Sequence, residues 1–245
     1  MTSLVNTCDY DNFDPNCYME TRDWNATENK EERNIFLFNV DALHELFHSG
    51  CIKGQTLLDI GTGPTIRTLI SASSHVERIY LSDINEQNRA TLRKWWRGEK
   101  LLEVELTDYI LKKENVRHSA EDRQQTLKGK IQEILPIDVR SRHPLPKEDG
   151  HGNFDVIISS LCFESASQSK EEYCEVVQNV ASLLKIGGHL VVLGLFDNTH
   201  YDVGNYRFIC ASLSRDVIEN IYETNGFTIL TFSSKKMDTC EKVKP

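Results

Sequence analysis

The stretch Leu57-Leu58-Asp59-Ile60-Gly61-Thr62-Gly63-Pro64-Thr65 decides the fold. Apolar residues running up to Ile60 predict a strand buried on both faces, as in a parallel sheet covered by helices. Two glycines then allow the backbone to bend sharply and approach a ligand closely. Pro64 suits the first turn of a following helix, where its missing N–H is no loss, and a helix opening there presents free N–H groups to a carboxylate or phosphate. The same residues also suit a plain strand-to-helix reversal. A dinucleotide fingerprint needs a further glycine three residues after Gly63, and Ile66 stands there. The bend is therefore expected to serve something other than a pyrophosphate.

Outward from this turn, short runs rich in Ile, Val and Leu recur at 78–81, 134–137, 154–161, 189–196 and 227–232. Helical spacing fills the gaps at 65–73, 87–97, 118–133, 169–184 and 215–225. Strands alternating with helices predict a doubly wound, mainly parallel α/β sheet. Upstream, Phe36, Val40, Leu43 and Phe47 mark a helix over 35–48, stopped by Ser49-Gly50. Ser169 followed by Glu172 forms a candidate capping box, and Gly226 a helix stop. Residues 1–33 are polar and punctuated and are expected to form an arm on one α/β domain over 34–245, with an irregular tail at 233–245. The charged stretch 99–122 is expected to be a surface insertion.

Composition narrows the function. Twenty-eight basic against 37 acidic side chains give a net charge of −9, the wrong sign for a nucleic-acid binder, which needs a basic footprint. No run reaches the ~18–20 apolar residues of a membrane span, and no secretory signal opens the chain. Seven scattered cysteines without a C-x-x-C pair fit reduced thiols in the cytoplasm. No coiled-coil repeat is present, so a monomer is expected.

Acids end two of the expected strands. Asp83 follows Tyr80-Leu81-Ser82 and stands 22 residues beyond Gly61, where a doubly wound sheet offers a carboxylate to ribose hydroxyls. Asn88 lies within reach of the same pocket. Asp138, after Leu135-Pro136-Ile137, suits either an adenine contact or a solvated loop. A different motif, His44-Glu45-Leu46-Phe47-His48, matches the H-E-x-x-H spacing of zinc sites. No third ligand is marked by motif and the helix stops just beyond, so two histidines on a solvated helix face are expected, and no metal. Trp95, Trp96 and Cys162 read as packing.

The D-I-G-T-G-P-T turn, Asp83, Ile137-Asp138-Val139, Leu161-Cys162, the Leu183-Leu184-Lys185-Ile186-Gly187-Gly188-His189 segment, and Asn12-Phe13-Asp14-Pro15 followed by Tyr18 fall in one order. Together they resemble the Class I S-adenosylmethionine-dependent methyltransferases, more narrowly the nicotinamide, phenylethanolamine and indolethylamine N-methyltransferases. The resemblance implies a Rossmann-like methyltransferase sheet with an N-terminal helical arm, and methyl transfer from S-adenosylmethionine to the nitrogen of a small amine, leaving S-adenosylhomocysteine. It implies that Gly61, Thr62, Gly63 and Thr65 line the methionine portion of the cofactor, Asp83 and Asn88 hold the ribose, Asp138 and Val139 flank the adenine, Ser160 lines the site and Tyr18 closes it. Glu164 matches an acid that engages the amine, as catalytic group, with Asn198 and Tyr201 as further substrate contacts. The chain departs from the family's pattern in three places: Arg22, Asp23 and Trp24 stand where a tyrosine pair is usual, Arg67 replaces a tyrosine and is expected to pair with the methionine carboxylate, and residues 233–244 offer no apolar run for a last antiparallel strand. Rival readings are a catalytically silent S-adenosylmethionine-binding homologue, a Rossmann oxidoreductase and an H-E-x-x-H zinc hydrolase.

Overall fold

Leu57, Leu58 and Ile60 have no exposed surface, and neither do Ile79, Leu81, Val156, Ile157 and Ile158. Side chains of this kind on both faces of adjacent strands demand a cover on each side. The computed structural model, which describes residues 3–5, 10–22, 30–146 and 153–236, supplies it. Its strands are β1 (Ser3–Val5), β2 (Thr56–Ile60), β3 (Arg78–Asp83), β4 (Ile131–Pro136), β5 (Phe154–Ser160), β6 (Leu184–Leu193), β7 (His200–Val203) and β8 (Tyr206–Ile209). Its helices are α1 (Pro15–Thr21), α2 (Lys30–His48), α3 (Leu69–Ala72), α4 (Glu86–Trp96), α5 (Val104–Lys113), α6 (Ala120–Lys130), α7 (Lys170–Ala181) and α8 (Arg215–Thr224).

The main sheet has the order β4-β3-β2-β5-β6, parallel throughout. One face packs on Val40 and Phe47 of α2, Leu69 of α3, Trp95 of α4, Ile110 of α5 and Leu127 of α6. The other packs on Val176 and Val177 of α7 and Ile221 of α8. The chain runs outward from β2 through β3 to β4, then returns to β5 on the other side of β2. A crevice must open where the two directions diverge, at the carboxyl ends of β2 and β5. Those ends carry Gly61 and Leu161.

Several boundaries differ from the sequence expectation. The stretch 99–122 is not a surface insertion: α5 lies within it and buries Leu106, Thr107, Ile110 and Leu111. Its charges occupy the opposite helix face, which hid the apolar one. Just before α5, Leu102 is clamped by Gln124, which accepts from the Leu102 N–H at 3.3 Å and from Trp95 Nε1 at 2.7 Å. The helix expected at 118–133 ends at Lys130, and β4 begins three residues earlier than the apolar run suggested. Residues 227–232 form no strand among the described residues; their half-buried alternation is met by ring contacts instead, Phe232 lying between Phe196 and Arg215. The β7–β8 hairpin, which periodicity did not announce, pairs antiparallel and takes β1 parallel on its other edge. Asp23, Trp24, Cys8, Cys240 and the tail from 237 lie outside the described residues.

Since α5 belongs to the core, Ile110→Ala is expected to cost about 2–5 kcal/mol in urea denaturation with an unchanged m-value. Ile186→Ala, at a fully exposed position, should stay within about 0.5 kcal/mol. Equal small losses at both would return this segment to the surface.

Candidate active site

The β2 strand runs into two left-handed glycines, Gly61 and Gly63, each with φ of 66°. Gly61 lies so close to the turn after β5 that a Cβ there would stand 2.6 Å from Cys162 Sγ. A Cβ on Gly63 would meet nothing within 4 Å, so that residue faces open space. Thr62 fastens the bend to the neighbouring strand, its N–H donating to Ser82 O at 3.0 Å and its hydroxyl to Asp59 O at 3.1 Å.

Asp83 ends β3 and is buried. It accepts from the Gly63 N–H at 2.8 Å, the Asn85 N–H at 2.8 Å and Asn88 Nδ2 at 3.2 Å. Burial raises its pKa and these donors oppose the rise. Asn88 Oδ1 is buried without a hydrogen-bond partner, and so is Asp59 Oδ1 beneath the glycine turn. Asp59 is pushed up to about 7 by burial, against hydrogen bonds from Thr68 and Thr62.

A narrow cleft opens in front of Gly63, closed by Tyr18 of α1 and by Phe36 and Asn39 of α2, with Thr65 and Ser160 on its walls. Arg67 also lines it. Its Nε donates to Glu103 at 2.7 Å, its Nη2 to Arg22 O at 2.6 Å, and its guanidinium lies 4.3 Å from the Phe36 ring centre. Its Nη1 is buried and unpartnered. Unsatisfied donors and acceptors of this kind are costly in a folded chain unless something else meets them. Arg67 Nη1 at the cleft and Asn88 Oδ1 beside Asp83 are such atoms: a free guanidinium N–H suits a carboxylate, and a free amide oxygen next to a buried carboxylate suits hydroxyl donors.

The remaining expected residues divide. Val139 is buried and its carbonyl accepts from Asn179 Nδ2 at 3.0 Å, while the Asp138 carboxylate pairs with Arg140 at 2.9 Å. Glu164 is 5% exposed and accepts from the Leu195 N–H at 3.2 Å. Its carboxylate lies against Gly194, where a Cβ would come within 3.2 Å of Oε1. Burial pushes Glu164 up to about 7, opposed by backbone hydrogen bonds including that of Leu195. Cys162 sits among Asp83, Glu164 and Asp59, and burial with those three charges raises its thiol pKa above the ordinary range, which favours the thiol over the thiolate. Asn198 Nδ2 donates to His200 O at 2.9 Å, and Tyr201 stacks on Phe208 at 5.1 Å.

Tyr10 was missed from sequence. Its hydroxyl donates to Ser165 O at 2.8 Å and its carbonyl accepts from Asn85 Nδ2 at 2.7 Å, so it joins the residue after Glu164 to the helix cap beside Asp83. A lone tyrosine in a polar arm gives no periodic signal. Phe36 and Asn39 were likewise read only as helix, because lining a cleft and facing a core share one spacing.

A parallel sheet with a glycine turn and acid at adjoining strand ends is Rossmann-like, and its structural neighbours make it the methyltransferase form of that fold. The magnesium protoporphyrin IX methyltransferase of Synechocystis PCC 6803, solved with bound S-adenosylmethionine, superposes with a TM-score of 0.55 at 14% identity over 89% of this chain and 83% of its own. The chain belongs to the NNMT/PNMT/TEMT family, whose model matches residues 3–244. Relatives include human nicotinamide N-methyltransferase, 29% identical over 90% of this chain and 84% of that protein. Rabbit (Oryctolagus cuniculus) indolethylamine N-methyltransferase is 30% identical over 89% and 83%. Macaca mulatta phenylethanolamine N-methyltransferase is 29% identical over 76% and 67%. Among the described residues, no helix is long and apolar enough to cross a membrane.

The raised pKa of Glu164 has a consequence for stability. The folded chain holds this proton more tightly than the unfolded one, whose ordinary value is 4.5, so stability is full below that value and declines as pH rises towards about 7. Glu164→Gln removes the decline. Thermal melts should show a higher Tm than the parent at about pH 8 and a smaller difference at about pH 5; a lower Tm at the higher pH would contradict the burial assignment.

Proposed function

We propose that this chain transfers a methyl group from S-adenosylmethionine to the nitrogen of a small basic amine, in the cytoplasm. The observation that carries the reading is the buried Glu164 carboxylate, pushed up to about 7, on the turn whose Cys162 packs on Gly61. The cysteines with described surroundings, Cys17, Cys51, Cys162, Cys174 and Cys210, are free thiols, which agrees with a reducing compartment.

When bound, S-adenosylmethionine supplies a methyl group made electrophilic by its sulfonium. The residues proposed to hold it are Gly61, Thr62, Gly63, Thr65 and Arg67 for the methionine portion and Asp83 and Asn88 for the ribose. Asp138 and Val139 take the adenine end, and Ser160 the wall between. Arg67 Nη1 is the donor assigned to the carboxylate, while Nε stays on Glu103. Tyr18 and α2 cover the cleft and keep water out, so that two reactants are held in line. Alignment of that kind is worth up to ~7–11 kcal/mol of barrier.

Glu164 receives the amine. A cationic ammonium arriving beside a buried carboxylate favours its ionised form, and an acid near neutrality is placed to take the ammonium proton and expose the lone pair. Asn198 and Tyr201 fix the rest of the substrate. A buried carboxylate favours a basic alkyl or arylalkyl amine over a neutral pyridine, whose ring nitrogen carries no proton to give up.

Radiolabelled methyl transfer across a panel of arylalkylamines and nicotinamide tests this directly. Turnover is expected with a basic amine, and Glu164→Gln should lower kcat by about 10²–10⁴-fold while leaving cofactor affinity unchanged. Asp83→Asn should weaken S-adenosylmethionine binding about 10–100-fold, the worth of hydrogen bonds to a charged group. Cofactor binding without turnover on any amine would favour the silent homologue instead.

A further inference from the structure

The helix α2 carries a cluster that the methyl-transfer site does not use. His44 and His48 stand one turn apart, their ring centres 4.1 Å from each other. His44 is 9% exposed and its Nδ1 is buried without a hydrogen-bond partner, so it does not lie on the solvated face expected from sequence. Glu114, just beyond α5, brings its carboxylate to the same place. Among the described residues, ligand atoms of His44, His48 and Glu114 all lie within 4.8 Å of one another. Glu114 thus stands beside the two histidines of the H-E-x-x-H spacing, at a position that the sequence did not mark.

We infer that His44, His48 and Glu114 form a Zn²⁺ site that fastens the end of α2 to the end of α5.

The surroundings suit ligation. His48 Nδ1 lies 3.2 Å from His44 O; donating there places the proton on Nδ1 and leaves Nε2 as the free lone pair, the usual arrangement of a metal-bound imidazole. Arg123 grips both oxygens of Glu114 and orients the carboxylate, while each oxygen retains a second lone pair. His75 stands edge-on to His48 at 4.9 Å, and its Nε2 is also buried and unpartnered.

Two imidazoles and one carboxylate select zinc over magnesium or calcium, which prefer oxygen alone. A tetrahedral ion with bonds of ~2.0–2.1 Å needs its ligand atoms ~3.3 Å apart. The ligand atoms stand within 4.8 Å of one another, so the three side chains close up when the ion binds. One turn before His44, Asp41 already binds Lys113 at 2.6 Å and the Tyr109 hydroxyl at 2.9 Å, so the metal would complete a contact line between α2 and α5. The role is a holding one. Phe36 and Asn39 of α2 cover the cleft, and Glu103 at the other end of α5 holds Arg67, so the ion braces the wall of the cleft from behind. None of this depends on methyl transfer.

The test uses the full chain, stripped with a chelator and titrated with ZnCl₂, with MgCl₂ as control. One tightly retained zinc per chain is expected by elemental analysis after gel filtration, with a rise in Tm that magnesium does not produce. His48→Gln, at an exposed position, should fold normally, weaken zinc binding at least about tenfold and abolish the rise. Glu114→Gln should likewise weaken zinc binding and abolish the rise, from a lower starting Tm because it leaves Arg123 without its carboxylate, whereas Cys51→Ser, three residues beyond His48, should leave both intact. Cobalt substitution should give visible bands without thiolate charge transfer. Absence of zinc retention, retention undiminished in His48→Gln, or loss in Cys51→Ser alone would each overturn the site.

Discussion

Three donors converge on the Asp83 carboxylate: the Gly63 N–H from the turn after β2, the Asn85 N–H from its own loop, and Asn88 Nδ2 from α4. A carboxylate this buried is tolerable only when hydrogen bonds replace the water it has lost. By accepting from all three, Asp83 fixes the glycine turn against β3 and sets where α4 begins, with Asn85 as its cap. The mouth of the crevice therefore takes its shape from one ionisable group. Thr62, bonded to Ser82, and Gly61, packed on Cys162, complete the bend on its other sides.

The arm depends on that centre as well. Phe13, Phe208 and Val203 form a small buried cluster with Tyr18 and Tyr201 packed against it. Tyr10 bridges Asn85 and Ser165, and Arg22 reaches both the hairpin, through Asp202 O, and Arg67 through its own carbonyl. The arm is thus held by a few rings and single hydrogen bonds, on top of a core with two large apolar clusters, so it has far less buried apolar contact than the sheet it rests on.

Much of this was legible beforehand because local chemistry and global fold agree. The β2 turn has glycine where φ is positive and a close approach is needed, and Asp83 falls at a strand end that the topology points towards the crevice. Elements that depend on distant partners were not legible. Helix α5 hid behind Glu105, Lys112 and Lys113, since charge on one face says nothing of the other. The β7–β8 hairpin is too short for its alternation to stand out, and the apolar alternation at 227–232 reads as a strand that finds no ladder. Within the site, Arg67 lines the cleft, but its engagement with Glu103 joins residues 36 apart. Glu114 reaches His44 across a separation no spacing rule covers.

The central claim is that the Asp83 hub and the glycine turn receive the sulfonium nucleoside. Titrating the isotopically labelled chain with S-adenosylhomocysteine, and following backbone amide resonances, interrogates it most directly. Saturable shifts should appear first at Gly63 and Asn85, whose N–H groups now share Asp83, and in Asp83→Asn should need about 10–100-fold more ligand. Saturation with those two amides unmoved, or shifts confined to another part of the molecule, would contradict it.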